Sequence, residues 1–138
     1  MVASMPKIHH RIAFALALLA PALIASRVAA NPPMKITEAD NGSALELMKD
    51  DSLIITLEAN ASTGYQWRIV KNDAAILKPA GPPEYKAGKS AMIGAPGQAV
   101  FTFSAVKPGS EEMVLGYARA NDHDPAKTFA VNIRVSTP

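Results

Sequence analysis

The side chains that usually carry catalysis are scarce here. Residues 31–138 contain a single histidine, His123, and the whole chain contains no cysteine. An imidazole-activated nucleophile needs a Ser, Thr or Cys set against that histidine and a third group to orient it. No nucleophile motif is present, and a thiol is ruled out. Asp122-His123-Asp124 offers oxygen and nitrogen donors. Three consecutive residues rarely aim all their donors at one tetrahedral or octahedral ion, and no second cluster with metal-ligand spacing completes the set. These three residues read as a solvated polar loop. The residues imply no enzyme, no metal and no cofactor.

What the sequence supplies instead is three loop-forming stretches. The first is Asn60-Ala61-Ser62-Thr63-Gly64-Tyr65-Gln66-Trp67, where small polar residues and a glycine give way to two aromatics. That is the composition of a tight exposed loop whose exit is pinned into a core. The second is Gly94-Ala95-Pro96-Gly97, with the apolar Met92 and Ile93 just before it hinting at an exposed contact surface. The third runs from Arg119 through Ala120 and Asn121 to Lys127. Taken singly, they read as a connection between sheets, a turn and a polar hairpin.

The elements that must position these loops read as short strands. Leu53–Leu57, Ala99–Val106, Met113–Tyr117 and Thr128–Val135 each place large apolar residues on one face with period two, clearest in Phe129, Val131, Ile133 and Val135. Residues 35–40 are a weaker candidate, followed by Asn41-Gly42, a strong hairpin signal before Ala44–Met48. Tyr65–Val70 continues from the first loop. Asp73–Leu77 is a short strand or helical turn. Pro79, Gly81, Pro82 and Pro83 argue for an extended loop, and Tyr85 can start another strand. Lys49–Ser52 and Lys107–Gly109 read as turns. No long apolar stripe of helical period occurs after residue 30. Strands so spaced imply an all-β fold, two antiparallel sheets packed as a sandwich of about seven to eight strands, with closure into a barrel as the alternative. Trp67 is expected in the core, its indole N–H needing a partner.

In order and spacing, these stretches resemble the chagasin family of cysteine-peptidase inhibitors. The family's first loop is Asn-Pro-Thr-Thr-Gly followed by Tyr or Phe, any residue, and Trp. Its second is of Gly-x-Gly-Gly type and its third Arg-Pro-Trp. This chain has Ala61 for the Pro and Ser62 for the first Thr, and in the third loop only Arg119 matches, with Ala120 and Asn121 in place of Pro and Trp. Pro125–Phe129 looks like the family's entry to its last strand.

The resemblance implies an immunoglobulin-like sandwich with three loops clustered at one end, occluding the cleft of a papain-like cysteine peptidase without bond formation. On that reading the protease-binding residues are Asn60, Ala61, Ser62, Thr63, Gly64 and Tyr65, then Gly94, Ala95, Pro96 and Gly97, then Arg119, Ala120 and Asn121. Thr63 would approach the nucleophilic cysteine, Gly64 would permit close backbone approach, and Arg119 would reach a rim of the cleft. Losing the family's large aromatic in the third loop removes a natural hot spot, which implies weaker affinity or a differently shaped rim. The alternative is an immunoglobulin-like binding or structural module using the same loops for a non-protease partner.

The first thirty residues read as a secretory signal peptide: a basic start at Lys7 and Arg11, an apolar run from Ile12 to Ile24 broken by Pro21, and small residues at Val28-Ala29-Ala30. The run is short of the ~20 residues a spanning helix needs. Residues 31–138 keep 11 of the 14 basic residues and all 12 acidic ones, a net charge near −1. Nucleic-acid binding therefore has no electrostatic basis. A cysteine-free domain suits a bacterial periplasm, and the expected product is a periplasmic or secreted monomer, free of the membrane once the signal is cleaved. Asn60-Ala61-Ser62 and Asn41-Gly42-Ser43 match the glycosylation pattern, read in that compartment as accidental.

Overall fold

A computed structural model of the chain describes residues 31–88 and 94–138. The expected leader at 1–30, and Met92 and Ile93, lie outside the described residues. Nine strands form two sheets: β1 Met34–Thr37, β2 Ala44–Met48, β3 Ser52–Ala59, β4 Gln66–Lys71, β5 Leu77–Pro79, β6 Glu84–Lys86, β7 Gly97–Ala105, β8 Gly109–Ala118 and β9 Lys127–Ser136. One sheet has the order β1-β3-β7-β5, with β6 pairing to β7 beside β5; the other is β2-β9-β8-β4.

The alternation legible in the sequence decides which face is inside. Leu53, Ile55 and Leu57 of β3 and Phe101 and Phe103 of β7 point inward from one sheet, while Met113 and Leu115 of β8 and Phe129, Val131 and Ile133 of β9 point inward from the other. No polar or charged residue is buried among the described residues. Burying aliphatic and aromatic side chains of this size contributes roughly 1.5–3 kcal/mol each. The core is therefore the main source of rigidity for whatever is mounted on its ends.

The sandwich is mixed, not purely antiparallel, because β1 runs parallel to β3 and β2 runs parallel to β9. Asn41-Gly42 accordingly does not close a hairpin: β1 and β2 lie in different sheets. A single 3-10 turn at Glu38–Asp40 intervenes, capped by Thr37, whose hydroxyl accepts from Ala39 N–H while Asp40 accepts from Thr37 N–H. Asn41 then ties the crossover to β9. Its Oδ1 accepts from Ala130 N–H at 2.9 Å, and Gly42 N–H donates to the Ala130 carbonyl at 2.7 Å. The chain does turn at Asn41-Gly42, but long-range bonds to β9 send it to the other sheet.

The Pro-rich stretch adds two short strands to the sandwich. Pro79 is tolerated because β5 is an edge strand that can spare a donor. β4 is the opposite sheet's edge, and a bulge between Ile69 and Lys71 leaves Ile69 and Val70 exposed.

Candidate functional site

The register places three connections at one end of the sandwich. Ala59 at the end of β3 faces Gly97 at the start of β7, Gln66 at the start of β4 faces Ala118 at the end of β8, and Tyr117 faces Lys127. The segments 60–65, 94–96 and 119–126 therefore emerge together. All the candidate residues read from the sequence fall here, and none is fully buried.

The first loop is a capped turn. Ala61–Thr63 form one turn of 3-10 helix with Asn60 as N-cap. Asn60 Oδ1 accepts from Ser62 N–H at 3.2 Å and from the Ser62 hydroxyl at 2.6 Å. Asn is among the best residues for this position because its short carbonyl reaches donors that the turn leaves unpaired. Thr63 N–H donates to the Asn60 carbonyl at 3.2 Å, and the Thr63 hydroxyl donates to the same carbonyl at 2.7 Å. Gly64 ends the turn at φ 79° and ψ −3°, a left-handed conformation that residues with a Cβ enter at a cost. Ala61 occupies the first helical position, where a proline would be preorganised. Here Asn60 and its bonds hold the turn instead.

The second loop is fastened to the first. Asn60 Nδ2 donates to the Gly94 carbonyl at 3.1 Å. Gly94 has φ 87°, and Gly97 lies so close to β6 that a Cβ there would collide with the Lys86 carbonyl oxygen. Between the first two loops lies a cleft of about 340 Å³ whose walls include Asn60, Ser62, Tyr85 and Ala95.

The third loop is fastened to the first from the other side. Arg119 Nε donates to the Thr63 carbonyl at 3.3 Å, and its guanidinium carbon lies 4.6 Å from the Tyr65 ring centroid. The side chain turns back across the first loop. Asp122 closes the loop behind it: its Oδ2 accepts from Arg119 N–H at 3.0 Å, and its own N–H donates to the Arg119 carbonyl at 3.1 Å. Ala120 and Asn121 are exposed at the tip. The Asp122-His123-Asp124 run belongs to this closure, and no group of three ligand-type residues able to hold a metal occurs among the described residues.

An aromatic column connects the loops to the core. Tyr65 stacks on Tyr117 with centroids 5.2 Å apart, and Trp67 lies 5.0 Å from Tyr117. Trp67 is buried, and its Nε1–H donates to the Glu58 carbonyl at 2.9 Å, the partner the sequence demanded. The Tyr117 hydroxyl accepts from Asn60 N–H at 3.0 Å. Tyr117 and Asp122 were missed as site residues. Tyr117 carried a signal: an aromatic with a polar tip ending an alternating strand beside a loop.

The chain matches the family model described as chagasin family peptidase inhibitor I42 over residues 46–133. No curated protein matches it. Among solved structures it resembles the cysteine protease inhibitor EhICP2 from Entamoeba histolytica, at 23% identity and TM-score 0.68, covering 75% of this chain and 95% of that one. It also resembles amebosin, at 25% identity and TM-score 0.64, covering 76% of this chain and 99% of that one.

Proposed function

The chain belongs to the chagasin family of peptidase inhibitors, and on that premise we propose that it blocks the cleft of a papain-like cysteine peptidase with the three loops at one end of the sandwich. The observation that carries this reading is the fastening of the first loop to both others, through Asn60 to Gly94 and through Arg119 to Thr63. A loop already held in one shape loses little conformational freedom on docking, and such preorganisation is where a rigid inhibitor gains affinity.

In this account the tip Thr63-Gly64 enters the cleft. Both residues are exposed, and a Cβ at Gly64 would meet nothing within 4 Å, so the backbone there is open to an enzyme surface. Residues 94–97 lie along one side of the cleft and Ala120 and Asn121 along the other. Inhibition is occlusion: the turn's backbone donors at Thr63 and Gly64 are already paired to Asn60 and Ala61, a compact shape unlike an extended substrate strand. Residues 1–30 direct the protein to the periplasm or outside the cell, where it acts as a monomer. Family membership disfavours the alternative of a binding module without a peptidase target.

Amide hydrogen exchange on the protein alone and in stoichiometric mixture with papain tests the assignment. Protection on binding should concentrate at 61–65, 94–97 and 119–121. Protection confined to the sheet faces or to the opposite end would overturn the three-loop surface.

A further inference from the structure

Arg119 is the one matching residue of the third loop, and rim contact with the enzyme is the role implied for it by resemblance. Its geometry favours a different role. The side chain is exposed, yet it is turned onto its own protein. Nε donates to the Thr63 carbonyl at 3.3 Å while the guanidinium covers the Tyr65 ring at 4.6 Å. A lysine could not do both. Only a planar, forked cation can stack on a ring and donate sideways at once.

The backbone of Arg119 is anchored as well. Asp122 bonds its N–H at 3.0 Å and its carbonyl at 3.1 Å, and Arg68 Nη2 donates to the Asp122 carbonyl at 3.3 Å, linking the loop to β4. The ring that receives the cation is stacked on Tyr117, whose hydroxyl holds the Asn60 N–H. Both ends of the first loop are thus held by groups outside it. Tyr117 fixes Asn60 at the entry, and Arg119 fixes Thr63 and Tyr65 at the exit.

We propose that Arg119 is a positioning residue: it holds the 3-10 turn of the first loop in shape from within the molecule, and its guanidinium is not a contact to the target. This role rests on the inhibitor reading for its effect on binding, though not for its effect on the loop. In the complex, Ala120 and Asn121 form the exposed tip of the third loop, and specificity at that rim lies with them.

The test uses residues 31–138 with Arg119→Lys, Arg119→Gln, Tyr65→Leu and the double variant Arg119→Gln/Tyr65→Leu. Amide exchange at Thr63 and Gly64 is measured in the free protein, alongside thermal midpoint and inhibition of papain. Both Arg119 substitutions should speed exchange at these two amides about tenfold, the loss of one exposed cation–π contact and one hydrogen bond. The thermal midpoint should fall by several degrees, because the same contacts are lost on global unfolding, and inhibition should weaken about tenfold. Lys should not rescue, and after Tyr65→Leu the Arg119→Gln change should cost less than in the parent, because only the bond to the Thr63 carbonyl remains to be lost. Unaltered exchange at Thr63 and Gly64, or a Lys variant that inhibits as well as the parent, would overturn the proposal. Exchange that responds as expected in a protein inhibiting no papain-like enzyme would uphold the clamp and defeat the inhibitor reading alone.

Discussion

Thr63 is the residue on which most rests. It is exposed at the tip, and its hydroxyl is already bonded to the Asn60 carbonyl. Thr63→Asp would carry a charge into a cleft that excludes water. An unpaired buried charge costs roughly 3–5 kcal/mol, so the inhibition constant should rise by at least a hundredfold, while a cooperative thermal transition confirms folding. Asn60 has two separable jobs. Asn60→Asp keeps the oxygen that caps the turn and loses the Nδ2 donor to Gly94, whereas Asn60→Ala loses both. A lost cap costs about 0.5–2 kcal/mol. Urea unfolding should therefore show Asn60→Ala clearly less stable and Asn60→Asp nearly unchanged, with inhibition weakened in both. A tight exposed loop at 60–64 was legible in the sequence because Asn and Gly tolerate unusual backbone angles; the Asn60 cap was not read there. The partners of Asn60 and Arg119 were not, because they lie 34 and 56 residues away and depend on strand register.

At the level of elements, the strands with strict alternation were readable, and those governed by distant pairing were not. β7 and β9 follow from Phe101, Phe103, Phe129 and Val131 alone. β1 and β2 did not follow, since Asn41-Gly42 carries the same local signal whether the chain turns back or crosses to the other sheet; Ala130 decides it. Gly97 shows what a strand edge needs at the site. Gly97→Ala would press a methyl group into the Lys86 carbonyl, pushing β6 from β7 and shifting the second loop. Strain of this kind typically costs 1–3 kcal/mol, and the variant should unfold at lower urea and inhibit less.

Away from the site, β8 carries a pH signature. Burial beside Asp73 pushes the Glu111 carboxyl above its ordinary value, although it accepts a hydrogen bond from Asp73 N–H. Its Oε1 is buried without a partner. A raised carboxyl keeps its proton longer in the folded protein than in the unfolded chain. Stability from this group therefore falls as pH rises from the unfolded to the folded value, and below both the effect is absent. Glu111→Gln should flatten that part of the stability–pH curve. An identical curve for parent and variant would show that Glu111 is not the group responsible.

The whole molecule is an apolar-cored sandwich with the three proposed binding loops at one end. Nothing in its composition required that arrangement. It follows from β3–β7, β4–β8 and β8–β9 all ending on the same side. Residues 31–138 carry a net charge near −1, so recognition at this end rests on shape and backbone contact more than on long-range steering. The inhibition constant should accordingly change little with salt between low and physiological ionic strength, and a steep dependence would assign affinity to charged groups instead.

The most direct measurement is a titration of residues 31–138 into papain and a cathepsin L-type enzyme, following hydrolysis of a small substrate. The account predicts saturable inhibition at one protein per active site, persisting on long incubation with the protein uncleaved. A folded protein that leaves both enzymes fully active at micromolar concentration, or is steadily degraded by them, would contradict it.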